Sequence, residues 1–209
     1  MADQKETVRR LLDAAGDTYA EEAGIRLADK PSPLYRLLVL SVLLSTRIKA
    51  DIAVAAAKEL AKMTTPRRMV DATWQQRVDA LGRAHYVRYD ESTATALGEG
   101  AQLLLDEYGG DLRKLRAEAD GDRDRIRQLL QRFPRLGPVG AHIFCREAQQ
   151  IWPELRPYLD DKALDGAAKV GLPKDPDKLA RLAGDDVAAL AAALVRVSLD
   201  KKLAASIRD

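Results

Sequence analysis

The most apolar stretch of the chain, the segment Leu37–Leu44 with the sequence LLVLSVLL, limits the folds that the chain can adopt. This segment is far too short to cross a bilayer, because a spanning helix needs about 20 apolar residues. A helix that is apolar on almost every side must instead be buried. We therefore predict that residues 34–45 form the central buried helix of a helical domain.

Helical periodicity continues along the rest of the chain. Near the start, Val8, Leu11, Leu12 and Ala15 have the spacing of one helix face, with charged residues between them. No alternating β-branched run and no hairpin signal interrupts the pattern. We therefore predict an all-α fold, with further helices over residues 50–63, 66–70, from 74, 90–108, 122–133, 141–151, 161–170, 177–183 and 185–197.

Local residue chemistry predicts where several of these helices begin and end. Ser32 before Pro33 is the expected N-cap of the apolar helix, since proline is favoured at the first helical position. Thr73 and Asp160 are placed to cap the helices that follow them. Gly109 is expected to end the helix over residues 90–108.

The composition excludes some classes of protein. The 209 residues include 34 basic and 32 acidic side chains, so the formal net charge is only +2 and gives no direct nucleic-acid signal. One cysteine and two histidines exclude an internal disulfide, a multi-cysteine cluster site and a conventional zinc enzyme. We therefore expect no metal and no cofactor. The N-terminal sequence lacks a signal-peptide pattern, which favours a cytoplasmic protein.

A turn rich in glycine and proline is the most informative motif. Residues 129–141 read LLQRFPRLGPVGA and connect two predicted helices. Glycines let backbone N–H groups approach a ligand, and a helix N-terminus adds partial positive charge, so together they can bind phosphate without a basic side chain. A protein with almost no net charge could bind DNA in this way. The turn is equally consistent with two tightly packed helices and no ligand.

The turn over residues 129–141, which we call the hairpin, is one of an ordered series of motifs. In chain order these are Leu43–Arg47 (LLSTR), Tyr108–Leu112 (YGGDL), the hairpin, Leu159–Leu164 (LDDKAL) and Val170–Pro173 (VGLP). The series resembles the endonuclease III-like branch of the helix–hairpin–helix DNA glycosylase superfamily, over about residues 33–199.

The resemblance implies two helical lobes with the hairpin at a DNA-binding cleft. One lobe would comprise residues 31–133, and the other residues 1–30 together with 134–209. It also implies a base-excision-repair DNA glycosylase that flips a damaged or mispaired base out of double-stranded DNA and cleaves its N-glycosidic bond. We expect a monomer that associates with a prokaryotic nucleoid.

Asp160 matches the catalytic aspartate of that family. A carboxylate suits the reaction, because positive charge develops on the sugar as the base leaves. Asp160 is also placed to be only an N-cap, and the two roles are compatible. Asp161 stands where the family has threonine.

His142 is the main departure from the family pattern. Bifunctional members have a lysine at this position, two residues after the second hairpin glycine, and its amine forms a Schiff base with the sugar. Imidazole cannot form that imine, so the resemblance implies a monofunctional enzyme without AP-lyase activity, in which Asp160 activates water. His142 could orient this water, contact the flipped base or fill a partly buried position. Lys162 is interpreted as a surface charge near DNA, with a substitute amine as the alternative.

The resemblance assigns further DNA contacts to backbone amides and to one arginine. Because Pro138 lacks an N–H and the glycine register can slip by one residue, the expected phosphate contacts are the amides of Gly137, Val139, Gly140 and Ala141. Arg47 matches the position from which relatives insert a side chain into the gap left by the flipped nucleotide. The alternative for Arg47 is a surface arginine after a buried helix.

A third departure concerns iron–sulfur chemistry. Many relatives end in a four-cysteine cluster loop, whereas the only cysteine here, Cys145, lies within a predicted helix and is expected to be a buried packing residue. Two other functions remain open: a non-catalytic DNA-binding relative that kept the hairpin scaffold, and a helical protein–protein interaction module.

Overall fold

The computed structural model describes residues 2–208, and this part of the chain is helical with no β-strand. The all-α prediction is confirmed. The helices are α1 Ala2–Ala15, α2 Tyr19–Glu22, α3 Pro31–Leu44, α4 Ala50–Glu59, α5 Pro66–Asp71, α6 Trp74–Arg83, α7 Asp90–Tyr108, α8 Leu112–Glu118, α9 Arg123–Leu130, α10 Gly137–Ala148, α11 Asp161–Lys169, α12 Pro176–Ala183, α13 Val187–Leu199 and α14 Lys201–Arg208. None of the described helices combines the length and hydropathy that a membrane span requires.

The chain forms two compact units. The central unit contains residues 20–144, and the terminal unit contains the residues up to Tyr19 and from Cys145 onward. The lobes expected from the sequence divide the chain elsewhere, because residues 20–30 and 134–144 belong to the central unit here. The assignment of the lobes to a DNA cleft stays a prediction.

Helix α3 is the buried centre of the central unit, as the apolar pattern predicts. Nine of its residues are buried, among them Leu34, Leu37 and Leu40, which are fully enclosed. The predicted N-cap is wrong, because the helix begins at Pro31 and the Ser32 hydroxyl donates instead to the carbonyl of Thr64 at 3.0 Å. Pro31 serves as the first helical residue because an N–H is not needed there.

Several other helix ends follow the local chemistry of the sequence. Thr73 forms a capping box with Gln76 at the start of α6, and α7 has the predicted bounds, with Gly109 in the left-handed conformation at φ 60°. Other ends differ from the prediction. The predicted helix over residues 50–63 gives way to a 3₁₀ turn at Leu60–Lys62, and α9 ends at Leu130. Helices α2, α8 and α14 lie outside the predicted elements.

The terminal unit is built on close contact between α11 and α13. A Cβ added at Gly166 would lie 1.9 Å from the Leu194 carbonyl oxygen, so a larger residue at this position would force the two helices apart. Alanines such as Ala163 and Ala191 are fully buried in the same core, beside Leu190. This packing fixes the first turn of α11, which Asp160 precedes.

Candidate functional site

The predicted hairpin is a tight turn between α9 and α10 in the central unit. Helix α10 begins at Gly137, four residues earlier than predicted, and ends at Ala148. Gly137 has φ 56°, a conformation that favours glycine. Gly140 is required by packing, because a Cβ there would lie 2.8 Å from the Leu136 side chain and 3.4 Å from the Ser45 Cβ. The two glycines therefore have different structural causes.

The start of α10 decides which hairpin amides a ligand could reach. The first helical hydrogen bond of α10 is donated by the Gly140 amide at 2.9 Å, and Gly140 and Ala141 are both buried in the helix. The amides of Gly137 and Val139 precede that bond, and Pro138 between them has no N–H. Of the four amides predicted to contact phosphate, those of Gly137 and Val139 therefore remain candidates, and residue Val139 is 60% exposed.

Side-chain hydrogen bonds connect the loop after α3 with the hairpin and with the loop after α6. The Ser45 hydroxyl donates to the carbonyl of Arg135 in the hairpin at 3.0 Å. The Thr46 and Tyr86 hydroxyls lie 2.8 Å apart and connect the loop after α3 with the loop after α6. We call residues 44–49, 84–92 and 131–139 the three-loop face. Arg47, the predicted gap-filling residue, is exposed on it.

The three-loop face carries basic side chains around an aromatic ring. The guanidinium groups of Arg88 and Arg135 lie 5.3 and 5.6 Å from the centre of the Tyr89 ring. Arg135 also donates to the Ser92 hydroxyl at 2.9 Å, which holds its guanidinium over the start of α7. Cation–π contacts and this hydrogen bond reduce the freedom of both arginines. Acidic residues at the start of α7 interrupt the positive charge, namely Asp90 and Glu91.

Asp160 lies in the terminal unit, at the N-cap position of α11. Its backbone carbonyl accepts from the Leu164 amide at 2.9 Å, but its side chain makes no capping hydrogen bond. Carboxylate oxygen Oδ2 instead accepts from Nη1 of Arg146 at 2.7 Å, and both side chains are only 9% exposed. The predicted side-chain cap is therefore replaced by an ion pair with the last turn of α10.

Gln149 fixes the main chain that leads to Asp160. Its amide group accepts from the Tyr158 N–H at 2.8 Å and donates to the Tyr158 carbonyl at 3.0 Å. The same amide donates to the Arg146 carbonyl at 2.9 Å. Gln149 is fully buried, so these bonds are shielded from water. Arg146, Gln149 and the segment 158–160 form one connected polar network.

The other predicted site residues lie on helices of both units. His142 is half-buried on α10 in the central unit. Lys162 is exposed in the first turn of α11, as expected for a surface charge, and Asp161 beside it is also exposed. Cys145 is fully buried, so the packing prediction for this residue is confirmed.

Sequence reasoning missed Arg146 and Gln149. Both residues lie in the mostly polar sequence REAQQ at residues 146–150, at the end of α10 and just beyond it. The apolar residues Ile143, Phe144 and Cys145 precede it, and this change in polarity is the signal in the sequence. A charged residue that continues a buried helix face must find a partner. The sequence could therefore have shown that Arg146 needs a hydrogen-bond acceptor, but not that the acceptor is Asp160.

One apolar pocket of the central unit lies beneath the hairpin. It is lined by residues that include Tyr35, Val39, Phe133 and Pro134, and it has room for about one water molecule. A pocket of this size is too small for a nucleobase.

Comparison of the chain with models of protein families, with curated proteins and with solved structures gave no match.

Proposed function

We propose that this protein is a monofunctional DNA N-glycosylase that flips a damaged or mispaired base and hydrolyses its N-glycosidic bond through Asp160. One observation carries the proposal: the predicted catalytic aspartate has a buried side chain that is oriented by Arg146 instead of capping its own helix. An aspartate that served only as an N-cap would bond to the amides of α11.

The chemistry assigned to Asp160 follows from its charge. Loss of a base leaves an oxocarbenium-like sugar, and a fixed carboxylate can stabilise that cation and accept a proton from the attacking water. His142 replaces the amine of bifunctional relatives, so the mechanism uses water and leaves the abasic strand intact.

Contact with the DNA backbone is proposed for the three-loop face. The amides of Gly137 and Val139, together with Arg47, Arg88 and Arg135, provide donors for phosphate oxygens. Local donors of this kind are consistent with a formal net charge of only +2. We further propose that the protein acts as a monomer on double-stranded DNA.

The test is a screen of duplex oligonucleotides, each with one lesion or mispair, analysed with and without alkali. A monofunctional enzyme yields strand breaks only after alkali, because it leaves an intact abasic strand. Borohydride trapping tests the same point, since a covalent protein–DNA adduct would contradict a mechanism without a Schiff base.

On the substrate that the screen identifies, Asp160→Asn should lower the rate of base release by about 10²–10⁴-fold. The amide carbonyl can still accept from Arg146, so the fold should be retained, and duplex affinity should remain near that of the parent. Asp161→Asn is the matched control, because Asp161 is an exposed neighbour. Parental rates in Asp160→Asn would refute the proposed mechanism.

A second candidate is a non-catalytic DNA-binding protein with the same hairpin. The observation that favours it is again the ion pair, because a carboxylate bound to a guanidinium can be purely structural. Duplex binding that weakens steeply with salt, with no base released from any lesion, would support this candidate.

A further inference from the structure

We propose that Arg146 is a positioning residue, which holds the Asp160 carboxylate in the orientation that base release requires. This inference rests on the proposed glycosylase function. It concerns a residue in the last turn of α10 that the motif series does not include. Arg146 acts through Asp160, because its guanidinium donates to the Asp160 carboxylate at 2.7 Å and the proposed chemistry requires no contact between Arg146 and the DNA.

The ion pair takes the place of a favourable local interaction. A side-chain N-cap contributes about 0.5–2 kcal/mol to a helix, and Asp160 stands at the position where this bond forms. A buried ion pair gives no assured gain in stability, because both ions lose their hydration. The carboxylate is therefore bound to Arg146 and makes no capping bond to its own helix, although a cap would be the simpler source of stability.

Gln149 makes the orientation rigid. It holds Tyr158, two residues before Asp160, through both the N–H and the carbonyl of that residue. It also donates to the carbonyl of Arg146, so both ends of the ion pair are joined to one buried amide. The main chain before Asp160 is thus held by Gln149, and its carboxylate oxygen Oδ2 is held by Arg146. A mechanism that depends on the direction of one carboxylate requires this kind of support.

The positive charge near Asp160 indicates that Arg146 orients the carboxylate and does not increase its reactivity. A guanidinium 2.7 Å from the carboxylate offsets part of the negative charge that would face the sugar. If charge alone mattered, loss of Arg146 would accelerate base release. If direction matters more, the same change slows it.

The experiment compares Arg146→Met, Arg146→Lys and the parent on the lesion that the screen identifies, in single turnovers at saturating protein, with the rate expressed per folded molecule. Arg146→Met should slow base release by about 10²-fold, while the dissociation constant for the duplex changes little. Arg146→Lys should recover part of the rate, because the ammonium keeps a charge and a donor but not the planar fork. Lys169→Met is the control, since it removes another cation, bonded to the Ser198 carbonyl, from the same unit.

Each outcome decides the proposal. A parental or increased rate in Arg146→Met overturns it, even where the free energy of unfolding is lower. Should Arg146→Met fail to fold, a parental rate in Arg146→Lys overturns it. A parent protein that releases no base from any lesion refutes the proposed function, and with it this inference. A parent that is active while the Arg146 variants match it refutes the inference alone.

Discussion

The two units each bury an arginine, and the partners of the two guanidinium groups differ. In the central unit, Arg77 is 9% exposed and donates to three main-chain carbonyls, those of Met69, Ala72 and Ala94, each at 2.9 Å. In the terminal unit, Arg146 is equally buried and donates to the Asp160 carboxylate. One guanidinium joins helices, and the other orients an acidic side chain.

The difference separates structural support from a candidate site. Arg77 lies on α6 and donates to the carbonyls of Met69 and Ala72 at the C-terminal end of α5, where the helix dipole gives partial negative charge, and to the Ala94 carbonyl in α7. Burial lowers the pKa of Arg77 from its ordinary value, and the nearby Tyr35 partly opposes this shift. Arg146 instead connects to the residue that the motif series assigns to chemistry. Only the second arginine should therefore affect base release.

The largest effect in this comparison is expected for Arg77→Met. Three carbonyls lose their donor, and at about 1 kcal/mol for each bond the free energy of unfolding should fall by about 3 kcal/mol. Urea denaturation measures this loss, and base release per folded molecule should equal that of the parent. A rate that falls with Arg77→Met as it falls with Arg146→Met would show that the two arginines do not differ in function.

A smaller effect is expected for Gly98→Ala on α7. A Cβ at this position would lie 2.7 Å from Nη2 of Arg77, and the guanidinium cannot move aside because its hydrogen bonds to carbonyls hold it. The free energy of unfolding should fall by about 1–3 kcal/mol.

Two variants test this interpretation of Gly98→Ala. Gly82→Ala in α6 is the matched control, because a Cβ there meets nothing within 4 Å, and it should stabilise the protein by about 0.5–1 kcal/mol. In an Arg77→Met background the cost of Gly98→Ala should shrink, since a thioether side chain can move. An undiminished cost would mean that Gly98 is required for another reason.

The predictable part of the fold is the part set by neighbours in sequence. The bounds of α7 follow from apolar periodicity and from Gly109, and the start of α6 follows from the capping box at Thr73. These interactions join residues no more than about five positions apart, so a single sequence contains their full cause.

The unpredicted part depends on contacts between distant segments. Ser32 and Asp160 both have the side chains of N-caps, but each is bound by a more remote group, the Thr64 carbonyl for Ser32 and Arg146 for Asp160. The hairpin shows the same limit, because the carbonyl of Arg135 is bound by the hydroxyl of Ser45, which is 90 residues away in sequence. Motif order thus predicts the candidate aspartate, whereas the identity of its partner Arg146 depends on tertiary contacts that the sequence does not show.

The smallest expected effect concerns two buried tyrosines of the central unit. The Tyr35 hydroxyl has no hydrogen-bond partner among residues 2–208, whereas the equally buried Tyr86 hydroxyl lies 2.8 Å from Thr46. Tyr35→Phe should therefore raise the free energy of unfolding by up to about 1 kcal/mol, and the control Tyr86→Phe should lower it by about the same amount. A loss of stability in Tyr35→Phe would mean that its hydroxyl is satisfied.

Measurements of the free energy of unfolding at alkaline pH provide a second test of the Tyr35→Phe variant. Burial raises the pKa of Tyr35 above its ordinary value near 10. Above pH 10 the unfolded chain releases the Tyr35 proton while the folded chain keeps it, so this residue costs the parent about 1.4 kcal/mol of stability per pH unit. Phenylalanine has no proton to release. The stability difference between Tyr35→Phe and the parent should therefore widen between pH 9 and pH 11, and a constant difference would contradict the burial of the hydroxyl.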